Sequence, residues 1–302
     1  MTAAASTPRP PVLIFGAHLA ALGALRVIAQ HGIRCFVVDD TDNIIARSRW
    51  YRPTERKLVE SPDSDALAEL LGSLRLKRAV LLCCSDQWAL AVAGLPAELK
   101  ERFPASLSSR DTIEQFVDKD RFRDLVDRLD IPRPRTVLIH DRADLERVSD
   151  DDLTNGFLKP TESHLHNRRF GTKGAFVGSR EAAAALVDQA SAAGITYMLQ
   201  EFIPGDMSQT VLIDGFVDRA GTIKTILARR RVRMDPPRLA NTCSDVTIPL
   251  ADVEDCLPGV RAMLAATDYR GIFNVEFKFD RRDGRFKIIE LNPRSTWYAG
   301  HI

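Results

Sequence analysis

The chain has 302 residues, 45% of them hydrophobic and 27% charged, with a formal net charge of +1. That composition suits a folded protein of two or three compact units, and the balance of charge excludes a global field for nucleic acid or an anionic membrane. No apolar run approaches the roughly 20 residues a membrane helix needs, and the opening MTAAASTPRPP lacks the apolar stretch of a secretory leader. The five cysteines show neither C-x-x-C spacing nor a histidine partner at zinc-site spacing. Buried, reduced thiols and a cytoplasmic setting are therefore expected.

Residues 12–15 are a short apolar run closed by Gly16, which predicts a buried strand. Residues 19–31 carry helical spacing and stop at Gly32, and 34–40 (RCFVVDD) read as a strand again. This β-α-β opening predicts a parallel sheet. A helix at 65–74, a strand at 78–84 and a helix from Trp88 extend the pattern, so residues 1–110 are expected to form a doubly wound, Rossmann-like unit. The same opening admits an NAD(P)-dependent oxidoreductase, with Asp39 and Asp40 where a ribose-binding acid belongs. GAHLAALG keeps only Gly16 and Gly23 of that fingerprint.

Asp111 and Thr112 predict a helix start, and Asp118 or Lys119 opens a second helix that ends near Asp130, ahead of Pro132 and Pro134. Strands are predicted at 156–160 and 175–178, a helix at 180–193, and a strand at 198–203 that leaves into Pro204-Gly205. Beyond it, strand-like segments at 210–213, 222–232, 273–280 and 285–292 enclose one helix at 256–267.

Chemistry concentrates in the second half. FNVEFKF and FKIIELN flank DRRDGR, where Asp283-Gly284 signals a hairpin. A three-residue bulged loop pairing Arg281 with Arg285 sets Glu276 opposite Glu290 and Asn274 opposite Asn292. Carboxylates facing each other across a ladder repel, unless both are solvated on an open face or a hard cation lies between them. Oxygen donors from Glu276, Glu290 and Asn292 suit Mg²⁺. Lys159, a charge inside the apolar strand GFLKP, either snorkels to water or meets an anion such as a phosphate. The loop HLHNRRFGTKG brings Arg168, Arg169, Gly171, Lys173 and Gly174 together, as a phosphate cradle or as a solvated tip. In MLQEFIPGD a strand edge offers backbone groups to an adenine, with Gln200 near its amino group and Asp206 near the ribose. Arg229, Arg231 and Arg233 alternate onto one strand face.

In this order, Lys119 in DKDRFRDLVDRLDIPRP, Lys159 in FLKP, the glycine-containing loop, LQEFIPGD, NVEFK and IELNPR resemble the ATP-grasp superfamily, over roughly residues 12–294. The resemblance is to its carboxylate–amine ligase-like branch, of which D-aspartate ligases are members. It implies an α/β chain with α+β subdomains. A Rossmann-like pre-ATP-grasp domain would occupy 1–110, a small subdomain with the phosphate loop 111–205, and a large subdomain with the metal site 206–302.

The resemblance also assigns roles. Lys119 and Lys159 would contact the phosphates of ATP, with Arg169, Gly171 and Lys173 of the loop beside them. Gln200, Glu201, Ile203 and Asp206 would form the adenine and ribose edge, Gln200 replacing the more usual Glu. Glu276, Glu290 and Asn292 would hold one or two Mg²⁺ ions. Arg294 would steady the phosphate or acyl phosphate, and Arg231 or Arg233 would face the γ-phosphate. The implied reaction joins a small-molecule carboxylate to an amine through an acyl phosphate, in a homodimer without nucleic-acid or membrane partners. The loop has fewer glycines than common family versions, and only eight residues follow Arg294 where relatives run on. Acceptor contacts are thus expected to be incomplete, and an ATP-binding protein without catalysis is the alternative within the same fold.

Overall fold

The computed structural model describes residues 9–16, 18–38, 44–56, 63–161, 174–235 and 241–296. The chain begins β1 (Val12–Phe15), α1 (Leu19–Gln30), β2 (Cys35–Val38), α2 (Ser64–Ser73), β3 (Val80–Cys83), α3 (Asp86–Ala93) and α4 (Ala97–Arg102). The three strands are parallel in the order β2-β1-β3. Central β1 is buried along its whole length, as a continuous apolar run with helices on both faces requires. Ser85 caps α3 by accepting the N–H of Trp88, so the helix starts at Asp86, two residues before the expected Trp88.

Two helices follow, α5 (Arg110–Val117) and α6 (Lys119–Arg128). The Asp118 carboxylate accepts the N–H groups of Asp120 and Arg121, both at 2.9 Å, and so ends one helix and starts the other. Their apolar residues Phe116, Phe122, Leu125 and Val126 pack beneath the last and largest sheet of the chain. The core of that sheet is thus completed from within the segment expected as a small subdomain.

The next group is β4 (Thr136–Ile139), α7 (Asp150–Thr154), β5 (Gly156–Pro160), β6 (Ala175–Phe176), α8 (Arg180–Ser191) and β7 (Tyr197–Glu201). Its sheet is antiparallel in the order β4-β7-β5-β6. Ile139, Leu158 and Leu199 point to one side, against Ala183, Ala184 and Val187 of α8. Lys159 and Gln200 lie on the other side, because β5 residues Phe157 and Lys159 stand opposite Gln200 and Met198.

The last group is β8 (Thr210–Val217), β9 (Ile223–Asp235), β10 (Asn241–Ile248), α9 (Leu257–Ala266), β11 (Gly271–Asp280) and β12 (Arg285–Asn292). The five strands form one antiparallel sheet, β10-β9-β8-β11-β12. Val211, Ile213, Phe273, Val275 and Phe277 face the helices α5, α6 and α9. Neighbours in sequence alternate, so Asp214, Arg229, Arg231, Asn274 and Glu276 share the opposite face.

The final hairpin corrects one expectation and keeps another. Asp280, not Arg281, pairs with Arg285, which leaves a four-residue turn. Gly284 closes it at φ +70°, donating its N–H to Asp280 O at 2.8 Å. Read alone, that shift slips the register by one. A bulge then restores it, because Phe277 pairs with Ile288 while Glu276 pairs with Glu290 and Asn274 with Asn292. The inserted residue also lets Ile288 and Leu291, three apart, both reach the core.

The first sheet is tied to the last by a short stretch of chain. Leu81 bridges Ala105, Leu107 bridges Gly271, and the Ser108 hydroxyl donates to Arg270 O at 2.9 Å. After β12 the chain returns, and the Ser295 N–H donates to Cys83 O at 3.3 Å. No described helix is long and apolar enough to cross a membrane. All five cysteines are free thiols, and burial pushes those of Cys84 and Cys256 up to about 12.

Candidate functional site

Three separate segments converge on Glu290. Lys119 starts α6 and places its ammonium 3.9 Å from Glu290 Oε2. Lys159 reaches the same oxygen from the small sheet at 3.8 Å. Glu276 faces Glu290 across the β11–β12 ladder, and Arg231 donates to Glu276 Oε2 at 2.7 Å from two strands away. On β12, the Asn292 amide donates to Glu290 Oε1 at 3.3 Å and to Asn274 Oδ1 at 3.2 Å. Its own oxygen accepts from Arg294 at 3.0 Å. Arg294 is anchored in turn by Asp86 at the start of α3, 2.8 Å away.

The electrostatics split the glutamate pair. Burial raises Glu276 above the usual carboxylate range, against the pull of Arg231 and with the push of Glu290. Burial acts on Glu290 too, but Lys159 and Lys119, helped by Asn292 and Arg294, outweigh it and hold that carboxyl well below its ordinary value. Burial and the charge of Lys159 lower Lys119, despite Glu290 and Asp86. Both lysines stop outside hydrogen-bond range of Glu290, so these are loose ion pairs. With Arg231 and Arg294, four cations face the carboxylates of Glu276, Glu290 and Asp86 among the described residues. Such a cluster can accept a polyanion, with or without a cation between the glutamates.

Among the described residues no three His, Cys, Asp or Glu side chains gather as a metal group. The donor set is two opposed carboxylates and one amide. That fits Mg²⁺, which typically takes one or two protein carboxylates and keeps waters or phosphate oxygens for its other positions.

Other expected residues fall at different distances from this cluster. Arg233 is exposed and, among the described residues, makes no ion pair with either glutamate. Register shifts on both sides of the pair Arg233–Ser244 interrupt the β9–β10 ladder there, while Arg231 stands opposite Asp245. Arg169, Gly171 and Lys173 lie outside the described residues, as do Asp39 and Asp40. Gln200 shares the face of Lys159. Its neighbour Glu201 is held by Arg282 at 2.5 Å and by the Arg135 N–H at 3.0 Å. Ile203 is buried just beyond β7. Asp206 accepts the Ser208 N–H at 2.8 Å and caps a short 3₁₀ turn. Gly205 makes that exit possible, since at φ +118° a side chain there would run into Gln209.

Asp86, Lys278 and the Asp214–Arg229 pair are additions from the structure. Lys278, two residues after Glu276, lays its ammonium 4.8 Å from the centre of the Phe202 ring. Phe202 packs edge-on against Phe176, which packs against Phe157. The lysine of NVEFK therefore meets the aromatic exit of β7. Its spacing from Glu276 was visible in the sequence, its partner was not. Asp86 had no such signal, because an acid in a first helical turn is ordinary and its arginine is 208 positions away.

No family model matches the chain. A D-aspartate ligase from Enterococcus faecium is 27% identical over 236 residues, which are 76% of this chain and 56% of that protein. The large chain of carbamoyl phosphate synthase from Methanothrix thermoacetophila is 22% identical over 296 residues, 90% of this chain and 25% of that one. The chain thus spans about half the length of the first relative and a quarter of the second. Among solved structures, an L-amino acid ligase from Bacillus licheniformis superposes with a TM-score of 0.68 at 13% identity, covering 98% of this chain and 70% of that one. A biotin carboxylase from Campylobacter jejuni gives 0.67 at 14% identity, over 95% and 66%. An N5-carboxyaminoimidazole ribonucleotide synthetase in its ADP complex gives 0.67 at 14% identity, over 96% and 72%.

Proposed function

We propose that the chain is a carboxylate–amine ligase of the ATP-grasp superfamily, and that it uses ATP to activate a carboxylate and join it to an amine. The observation that carries this reading is the convergence of Lys119 and Lys159, from separate segments, on the Glu290 that stands opposite Glu276. A lone surface ion pair needs one cation, whereas four around a half-buried carboxylate pair suit triphosphate oxygens.

In the proposed reaction a carboxylate oxygen takes the γ-phosphoryl group and ADP leaves. The amine nitrogen then attacks the acyl carbon, and phosphate leaves. Such transfers depend on positioning and charge neutralisation more than on a protein nucleophile. Lys119 and Lys159 bind phosphate oxygens, and Arg231 supplies positive charge beside Glu276. Arg294, fixed by Asp86, steadies the acceptor carboxylate and its phosphorylated form. Gln200 and the backbone running out to Ile203 take the adenine, and Asp206 the ribose. Glu276, Glu290 and Asn292 would hold Mg²⁺, which would supply positive charge against that of the phosphates. For Asn292 to offer its oxygen the amide must turn over, releasing its contact with Arg294.

The experiment is a screen for ADP release that requires both a carboxylic acid and an amine, with thermal shift against ATP–Mg²⁺ and NAD(P)H. Turnover that needs both partners supports the ligase. Stabilisation by ATP–Mg²⁺ without turnover supports the non-catalytic binder. Stabilisation by NAD(P)H alone sinks both in favour of the oxidoreductase.

A further inference from the structure

A cavity of about 370 Å³ lies on the same face of the large sheet as the glutamates, farther along β8, β9 and β11. It is large enough for a small organic acid. Phe216, Leu227 and Ile272 form its floor, and Leu82 of β3 and Leu107 of the stretch between the two sheets also line it. All five are half-buried, so their apolar surface is partly open to the cavity. At one end lies Arg294, which also contacts Asn292 and through it Glu290. The cavity therefore opens from the cation that ends the polar cluster into a wall of aliphatic and aromatic carbon.

Resting on the ligase reading above, we propose that this cavity takes the acid to be activated, and that this acid is a monocarboxylate with an apolar side chain. Its carboxylate sits at Arg294, beside the polar cluster, and its side chain lies against Phe216, Leu227 and Ile272. Charge sets this preference. Among the described lining residues Arg294 is the one cation, and Asp86 and Asn292 already share it. The one carboxylate among the described lining residues, Asp214, has its two oxygens taken by Arg229 and Asn274. A second carboxylate on the substrate would meet Asp214, carbon and the hydroxyls of Ser106, Thr225, Ser295 and Thr296, with no second cation to offset its charge. An apolar side chain loses nothing there and gains burial. The relative named D-aspartate ligase acts, by that name, on an acid with two carboxylates. The proposal separates this chain from that substrate class.

The test uses the whole chain with ATP–Mg²⁺ and hydroxylamine as the amine, reading hydroxamate from leucine, phenylalanine and 4-methylpentanoate against aspartate, glutamate and lysine. The expected result is at least a tenfold higher kcat/KM for the apolar acids. Leu227→Arg should shift that preference at least tenfold towards the dicarboxylates. Should that variant not fold, Leu227→Ala should weaken the smaller apolar acids and favour phenylalanine. A preference for dicarboxylates in the parent chain, or apolar turnover untouched by any folded Leu227 variant, overturns the proposal. Thermal shift with each acid and ADP–Mg²⁺ reads binding apart from turnover. Apolar acids that stabilise the parent but not the Leu227 variant, without hydroxamate, support the pocket and sink the ligase reading. Hydroxamate formation with no stabilisation by any apolar acid does the reverse.

Discussion

Two charged groups lie side by side on one face of the large sheet and are built differently. Arg229 is nearly inaccessible and closes on Asp214 at 2.6 and 2.8 Å and on Asp245. The second oxygen of Asp214 takes the Asn274 amide at 2.9 Å, so the group is satisfied from within. One residue pair along the strand, Glu276 and Glu290 oppose each other, and the lysines stop 3.8 and 3.9 Å away. The first arrangement resembles a structural ion network, whose geometry leaves nothing for a ligand. The second leaves like charges opposed and cations loosely held, which costs stability unless something else occupies the gap. Asn274 and Asn292 connect the two, so the closed network holds one edge of the open one in place.

Substitutions in the two groups should separate stability from activity. Glu290→Gln should lower ADP release roughly 10²–10³-fold, a loss of several kcal/mol in the barrier, while thermal unfolding moves little. Arg229→Met should do the opposite. It leaves the buried Asp214 and the half-buried Asp245 without their cation and should cost roughly 3 kcal/mol in denaturant unfolding. Mild acid should restore part of that loss by protonating Asp214, whose carboxyl burial already raises. An Arg229→Met variant that loses activity but no stability, or a Glu290→Gln variant that loses stability but no activity, would erase the distinction.

Asp280 tests the closed type of pairing elsewhere in the hairpin. Arg282 donates to it at 2.6 and 2.9 Å, and Lys287 at 2.6 Å. The Arg282 hydrogen bonds, reinforced by Lys287 against the cost of burial, hold its carboxyl far below the usual range. A folded-state value below the unfolded one adds stability above the ordinary aspartate range near pH 4. That stability is lost as pH falls further. Asp280→Asn should therefore cost roughly 2 kcal/mol at pH 7 and progressively less below pH 4, checked by urea unfolding at several pH values. The smallest effect is expected for Arg231→Lys. It keeps the charge beside Glu276 but loses the planar donor, and should raise the KM for ATP by roughly three- to tenfold. A larger fall in kcat would move Arg231 into the reacting centre.

The sequence was most legible where local pattern and tertiary role agree. The β-α-β opening, the apolar runs at Val12 and Val80 and the final hairpin all follow from period and turn chemistry. Two strands escaped it. Thr136–Ile139 is four residues long behind a proline pair, and Asn241–Ile248 is an edge strand whose polar residues carry little hydrophobic signal. The hairpin shows both sides of the matter. Asp283-Gly284 announced a turn, but a turn fixes register only if its length is known. The four-residue turn and the bulge each shift the pairing by one, and only together do they return Glu276 to Glu290.

What the sequence determined by itself was an inventory and an order. It supplied the lysine that opens α6, the lysine inside an apolar strand, and the alternation that puts Glu290 and Asn292 on one face. Helix and strand periods are local properties and can be read from neighbours along the chain. Tertiary structure decided which of these groups meet. Lys119 and Lys159 share one oxygen of Glu290, Arg231 rather than Arg233 reaches Glu276, and Asp86 fixes Arg294 across 208 positions. It also set an apolar cavity beside Arg294, by laying the first sheet against the last. Those meetings depend on sheet order, bulges and docking, which arise from packing the whole chain and leave no pattern in any one segment.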